Sequence, residues 1–242
     1  MKVPKKITPC PIVETIVEIR FDTNVPGEAV FGIVYNEFKK DFPKTEKLPI
    51  LQLPENIRGN DPNLIHSPCY KLKNEELLIQ VGSKVFSLVN VNAYIGWESF
   101  SKKIYDIFGR LFNVLELNKI YRLAVRYVNL FKDQNIFKES KLKIFLGTEN
   151  FFENEINFIS NVHSENCTSR LMIVNHGEVI VNGKLFRGSL VDIDTVIKTY
   201  PVGLERDISL FNNYLEKAHI DEKELFFSLL SDELLESLNP EY

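Results

Sequence analysis

Residues 12–21 read Ile-Val-Glu-Thr-Ile-Val-Glu-Ile-Arg-Phe, and residues 119–131 read Lys-Ile-Tyr-Arg-Leu-Ala-Val-Arg-Tyr-Val-Asn-Leu-Phe. In both stretches apolar residues recur at every second position, which is the period of a strand with one buried face. Glu14, Glu18 and Arg20 of the first stretch fall on the opposite face, and so do Arg122 and Arg126 of the second. We therefore predict two half-buried strands that turn their apolar side chains toward a core and their glutamates and arginines toward solvent.

Hairpins and amphipathic helices make up the pattern around these two strands. Residues 77–81 and 85–91 flank Gly82-Ser83, which predicts a type II′ hairpin, and Asn182-Gly183 predicts a type I′ turn. Shorter strands are predicted at roughly 49–53, 156–163, 169–175, 178–181 and 184–196, with a turn at 175–177. Stripes of apolar residues predict helices that begin after Pro26 and after Gly96, then over roughly 206–218 and from Asp221 onward. Because hairpins outnumber crossovers, the predicted fold is α+β: mainly antiparallel sheet, helices packed on one face, and a helical C-terminus.

The polar and irregular stretch 132–155 is the predicted junction between two parts of the chain. An N-terminal α+β subdomain would cover residues 1–135, and a C-terminal β-meander with a helical tail would cover residues 136–242. Each part combines strands with helices, so two related subdomains are one hypothesis. One continuous domain is the other.

Composition narrows the class of protein. The chain has 242 residues, of which 44% are hydrophobic, and its net charge is −4. A nucleic-acid-binding domain usually carries a basic surface, so nucleic acid is not indicated as a partner. The N-terminus has the charge of a signal peptide without the apolar stretch that should follow, and no window is long enough for a membrane span. The expected location is the cytoplasm, and the three widely spaced cysteines (Cys10, Cys69 and Cys167) predict free thiols.

The strands predicted at 12–21 and 119–131 are called the founding strands below. Their charged residues form the first candidate site. If the strands pair antiparallel and in register, Glu14 faces Arg126 and Glu18 faces Arg122, with each pair worth roughly 0.2–1 kcal/mol. One interpretation is a ladder of ion pairs on a solvated sheet face. The other is a polar surface that binds an anionic or bipolar ligand. The candidate ligand-binding residues of this chain are Glu14, Glu18, Arg20, Arg122, Arg126, Asn129, Trp97 and Tyr127.

Two weaker hypotheses involve a metal ion. His66, Cys69, His163 and Cys167 would make a tetrahedral zinc site if the fold brought both pairs together. Asp192 and Asp194 share one face of a strand, and with Glu14 or Glu18 they would hold a divalent cation for phosphodiester hydrolysis. A charged strand facing solvent also accounts for the two aspartates.

Three short motifs carry a resemblance to a known family. Pro11-Ile12-Val13-Glu14 lies near the start, Gly96-Trp97-Glu98 precedes the middle helix, and Arg122 is followed by Arg126-Tyr127-Val128-Asn129. In this order, and with Asp232-Glu233-Leu234 in the helical tail, they resemble the landmarks of a sporadically distributed family of uncharacterised prokaryotic proteins of similar length. The resemblance spans most of the chain and implies no reaction or catalytic residue. It implies an accessory role, such as defence or mobile-element biology.

The residues favour a non-catalytic binding or interaction protein, although they do not decide whether the chain is an enzyme. No nucleotide loop, nucleophile elbow or dinucleotide fingerprint is present, so no cofactor is indicated. The expected partner is another protein or a small molecule, and a homodimer is left open. The glutamate and arginine face and the proline-rich segment 43–70 are the predicted recognition surfaces. The alternatives are the metal-dependent hydrolase and a small-molecule pocket between sheet and helices, lined by Tyr121, Tyr127 and Trp97.

Overall fold

A nine-stranded antiparallel sheet organises the computed structural model, which describes residues 3–91, 93–147, 149–150, 154–181 and 184–242. In chain order the strands are β1 Ile12–Asp22, β2 Lys44–Lys47, β3 Tyr70–Lys73, β4 Leu77–Val81, β5 Val85–Asn90, β6 Lys119–Lys132, β7 Phe145–Leu146, β8 Glu149–Asn150, β9 Asn157–His163, β10 Cys167–Val181 and β11 Lys184–Ile197. The sheet order is β2-β3-β4-β5-β1-β6-β11-β10-β9, and β7 and β8 form a separate pair. The helices are α1 Gly27–Phe38, α2 Glu55–Asn60, α3 Trp97–Val114, α4 Ile136–Glu139, α5 Ile208–Leu229 and α6 Asp232–Ser237.

The predicted α+β class is confirmed, and both founding strands lie at the middle of the sheet. Val17, Ile19 and Phe21 of β1 are fully buried, and so are Leu123 and Val125 of β6. These side chains alternate with polar ones, so one face of the sheet is apolar and takes the helices. Antiparallel pairing of β1 with both β5 and β6 places this alternation in register across three strands.

Two hydrophobic clusters fill the space between the sheet and its helices. The larger one packs α1, α3 and the first half of α5 against β1 and β4 to β6, and it includes Phe211 and Leu215 of α5. The smaller one packs the second half of α5 and α6 against β6, β10 and β11, and it includes Ile7 from the N-terminal segment. Strands and core residues from both sides of position 135 therefore contribute to one sheet and to the larger cluster.

The C-terminal helices differ from their prediction. Asp221 does not begin a helix, because α5 runs without a break from Ile208 to Leu229. Residues 219–221 contain neither glycine nor proline, so nothing in the backbone ends the helix there. The Asp221 carboxylate instead accepts a hydrogen bond from the Ser164 hydroxyl at 2.5 Å. The chain leaves α5 at Leu230, and Ser231 caps α6 by accepting a hydrogen bond from the Leu234 amide.

Several strand and turn predictions were also wrong. Residues 49–52 form a 3-10 helix rather than a strand, and the neighbouring strand is β2. The predicted turn at 175–177 is a bulge inside the single long strand β10. Gly82 lacks the positive φ of a type II′ turn; a side chain there would meet the Ser67 carbonyl oxygen at 2.5 Å, so close packing selects the glycine. The turn predicted at 182–183 lies outside the described residues.

No helix within the described ranges is long and apolar enough to cross a membrane.

Candidate functional site

A cavity of about 410 Å³ lies on the helix side of the sheet, at the boundary between the two hydrophobic clusters. Four segments form its wall: the N-terminal residues 4–12, the turn 94–97, strand β6 and the second half of α5. Its volume falls in the range of roughly 300–1,000 Å³ that is usual for small-molecule sites. The lining residues that matter for its chemistry are Tyr94, Trp97, Tyr127, Asn129, His219, Glu222, Lys223, Phe226 and Phe227.

The turn before α3 places Trp97 in the wall. Asn90 at the end of β5 accepts a hydrogen bond from the Ile95 amide at 3.2 Å, which holds the turn against the sheet. Gly96 has a φ of +81°, a conformation that strains any residue with a side chain, and it begins the helix at once. Trp97 then stacks on the ring of His219 with 3.8 Å between ring centroids, and its indole nitrogen donates to Glu216 at 2.7 Å.

Two tyrosines and a histidine form a chain of hydrogen bonds beside the cavity. The Tyr94 and Tyr127 hydroxyls are 3.3 Å apart, and the Tyr127 hydroxyl is 3.0 Å from Nδ1 of His219. Burial, together with the smaller effect of the nearby Lys223 ammonium, lowers the pKa of His219 to about 3. The imidazole is therefore neutral at physiological pH. Burial also raises the pKa of both tyrosines, which keeps their hydroxyls protonated.

Glu222 is the most unusual group in the cavity wall. The residue is 4% exposed, and within the described ranges its carboxyl group forms no hydrogen bond or ion pair. Burial raises its pKa well above the ordinary value, and the Lys223 ammonium offsets only part of that effect. A largely buried carboxyl group without a partner in the protein is unfavourable in either protonation state, because burial removes most of its hydrogen bonds to water.

Lys223 contributes a positive charge next to this carboxyl group. Its side chain is half-buried and lines the cavity, and burial lowers its pKa. Among the residues that the structure describes, no carboxylate forms an ion pair with it. Lys5 and Lys6 of the N-terminal segment also line the cavity and are exposed. The cavity thus has an acidic group in its wall and basic groups toward solvent.

The proposed pocket residues divide between this cavity and other places. Trp97 and Tyr127 line the cavity, and Asn129 lines it too while its amide donates to the Val191 carbonyl at 3.3 Å. Tyr121 does not line it, since its hydroxyl donates to the Phe21 carbonyl at 3.1 Å and its ring contacts His66.

The other candidate residues lie on the opposite face of the sheet, which carries a network of ion pairs. Arg20 and Arg122 each donate to the same Glu18 carboxylate oxygen at 2.9 Å. Arg122 also donates to both oxygens of Asp194 at 2.7 Å. These cross-strand contacts join β1, β6 and β11, so most of the charge on this face is neutralised within the protein.

The predicted pairing of β1 with β6 is wrong by two residues. Glu14 lies opposite Val128 rather than Arg126, and Glu18 lies opposite Ala124 rather than Arg122. Glu18 still reaches Arg122 across the diagonal. Arg126 turns instead to β11 and donates to both oxygens of Asp192, at 2.7 and 2.6 Å. Burial raises the pKa of Glu14, an effect that the nearby Arg126 guanidinium partly offsets.

In the described part of the chain, no three His, Cys, Asp or Glu side chains lie close enough together to hold a metal ion. Neither metal hypothesis is therefore supported by a cluster of ligands. Asp192 and Asp194 are each held by an arginine. Cys69 immediately precedes β3 and Cys167 begins β10, which lie near opposite edges of the sheet. The proposed zinc site of His66, Cys69, His163 and Cys167 is therefore wrong.

Glu222, Lys223, His219 and Tyr94 were missed by the sequence prediction. A signal for Glu222 exists, because Phe211, Leu215, Ala218 and Phe226 form the buried stripe of α5 and Glu222 falls on it at helical spacing. A charged residue within an apolar stripe is a mark of a buried polar site. The false helix start at Asp221 broke the stripe in two and hid this signal.

A scan against models of known protein families found no match to this chain, and a search of curated proteins found none either.

Proposed function

We propose that this protein binds a small organic molecule in the cavity between α5, β6, the 94–97 turn and the N-terminal segment. The observation that carries the proposal is Glu222, a carboxyl group that is almost fully buried at the cavity wall and has no partner in the described part of the chain. Buried polar groups in folded proteins nearly always have a hydrogen-bond partner. A ligand that supplies the missing partner accounts for the position of this group.

The aromatic wall supports the same proposal. Trp97 and Tyr127 stand beside Phe226 and Phe227, which supply a large apolar area for a ring to pack against. The Tyr94 and Tyr127 hydroxyls add polar groups that fix orientation. A pocket that is mainly apolar with a few convergent polar groups is the usual form of a small-molecule site.

As in the sequence analysis, we propose that the protein binds its ligand without catalysing a reaction. The accessory role implied by the family resemblance belongs to it, since a bound molecule would be the signal that a partner protein responds to. The charged face on the other side of the sheet supports a ligand site less well, because its arginines are already satisfied by Glu18, Asp192 and Asp194.

A thermal-shift screen against nucleotides, amino acids and other metabolites tests this function. A ligand present at about 100 times its Kd should stabilise the native state by about 2.7 kcal/mol, which is roughly 5–10 °C in Tm for a chain of this size. Trp97→Ala removes one wall and should abolish the shift, whereas Tyr105→Ala, an exposed aromatic on the same helix, should keep it. Equal shifts in the two variants, or no shift from any compound, would contradict the proposal.

A further inference from the structure

Two ionisable side chains in the cavity wall have no ion-pair partner in the described part of the chain. Glu222 is buried and Lys223 is half-buried, and both line the cavity. The two groups are neighbours in α5 but do not pair with each other. A molecule that satisfied both would need hydrogen-bond donors for Glu222 and negative charge for Lys223.

The aromatic side chains of the wall restrict the rest of such a molecule. Trp97 is stacked on the neutral ring of His219, and the rings of Tyr94 and Tyr127 meet nearly at right angles. Phe226 and Phe227 meet at 79°, so their rings present both a face and an edge. Aromatic walls of this kind pack best against a flat ring, through stacking or edge-to-face contact.

We propose that the ligand is a flat ring compound that carries both N–H donors and an anionic group. Glu222 accepts the N–H groups, and Lys223 binds the anion. N–H donors favour the ionised form of a buried carboxyl group, whose two oxygens can take a pair of such donors at once, and an ammonium binds carboxylate or phosphate as a point charge. Because this inference rests on the proposed function, its test is built to separate the two.

Two sources of ligand share this chemistry: a nucleotide, which joins a base with N–H groups to a phosphate, and an aromatic amino acid, which joins an ammonium group to a carboxylate. Calorimetric titrations with matched pairs distinguish them. One arm compares guanosine monophosphate with guanosine and adenosine monophosphate with adenosine, and the other compares tyrosine with tyramine. Trp97, the one tryptophan of the chain, gives a second readout through its fluorescence for the nucleotide arm.

In the arm that contains the ligand, we expect the member of a pair that carries the anionic group to bind roughly tenfold or more tightly than the member that lacks it. Lys223→Met should abolish that difference, while Glu222→Gln should weaken both members by a similar factor. Lys217→Met and Glu224→Gln, which alter exposed residues of the same helix, should leave every affinity unchanged.

The inference is overturned if the two members of every pair bind alike, or if Glu222→Gln and Lys223→Met bind as the wild type does. If the thermal-shift screen finds a cavity ligand that lacks the N–H groups or the negative charge, the inference fails and the proposed function stands. If neither the screen nor the matched pairs give binding that depends on Trp97, both fail together.

Discussion

Glu222 shows at the residue scale how a local pattern and its environment can disagree. It lies between Ala218 and Phe226 on the buried stripe of α5, a position where an apolar residue would stabilise the core. Burial favours the neutral form of its carboxyl group in the empty protein, because a charge without a partner is strongly disfavoured away from water. Retaining such a group lowers the stability of the empty protein, which is a common property of binding sites.

Glu222→Gln should make the folded protein less sensitive to rising pH. The pKa of Glu222 in the folded state lies above its ordinary value of 4.5, which the unfolded chain regains. Between these two values the folded state keeps a proton that the unfolded state has released, so its stability falls as the pH rises. Glutamine has no proton to release. We expect the variant to exceed the wild type in free energy of unfolding by about 1 kcal/mol or more at pH 8, and the difference to shrink as the pH falls toward 4.5.

Denaturant unfolding measured from pH 4 to pH 8 checks this expectation. Glu224→Gln serves as the control, because Glu224 is exposed on the same helix and its variant should follow the wild type at every pH. A Glu222→Gln curve parallel to that of the wild type would show that the carboxyl group is not held neutral by burial.

At the scale of elements, the ion pairs that join neighbouring strands differ in how deeply they are buried. Arg126 of β6 and Asp192 of β11 form a two-point ion pair in which the carboxylate side chain is only 4% exposed. The hydrogen bonds to Asp192 raise the pKa of Arg126, and burial offsets part of that rise. The pair Arg187 and Glu178 joins β10 and β11 with a similar 2.8 Å contact but is largely exposed. The same chemistry should therefore stabilise the two places very differently.

Arg126→Met should destabilise the fold by roughly 1–3 kcal/mol, because it leaves the buried Asp192 carboxylate without its partner. The lower part of that range reflects the partial exposure of Arg126. Arg187→Met should change the free energy of unfolding by less than about 0.5 kcal/mol. Chemical denaturation of both variants measures the contrast, and the double variant Arg126→Met/Asp192→Leu should recover most of the loss. Similar effects from the two arginines would mean that burial of Asp192 does not matter.

At the scale of the whole molecule, backbone hydrogen bonds join the N-terminal segment to the C-terminal tail. The Lys5 amide donates to the Glu241 carbonyl at 2.7 Å, and the Thr8 amide donates to the Leu238 carbonyl at 2.6 Å. These bonds hold the N-terminal segment against the helical tail, and the same segment forms one wall of the cavity. The cavity is therefore a property of the complete fold and not of either half.

A fragment of residues 1–135 should fail to fold by itself. It lacks Phe211, Leu215, Ile197 and Leu204, which are buried in the larger cluster. Each buried side chain of this size contributes roughly 1.5–3 kcal/mol, so their loss is comparable with the roughly 5–15 kcal/mol that stabilises a whole domain. Circular dichroism and heteronuclear NMR of the fragment should show little cooperative unfolding and poor signal dispersion. A cooperative transition in the fragment would establish residues 1–135 as an independent domain.

The α+β class, the two founding strands and the side of the sheet that faces solvent all follow from the order of the amino acids alone. Each of these depends on the alternation of neighbouring residues, which a single strand displays without its partners. Trp97 and Tyr127 could be chosen as pocket candidates for a similar reason, since their types suit a ring-binding wall.

The tertiary structure alone decided which charges meet and where the cavity lies. A shift of two residues between β1 and β6 keeps every side chain on its face, so the alternation could not tell Arg126 opposite Glu14 from Arg126 beside Asp192. Four segments far apart in the chain form the wall of the cavity. The Glu222 carboxyl group is buried only because these segments pack around it. Local patterns record the preferences of residues, whereas burial of a carboxyl group depends on contacts that only the folded chain creates.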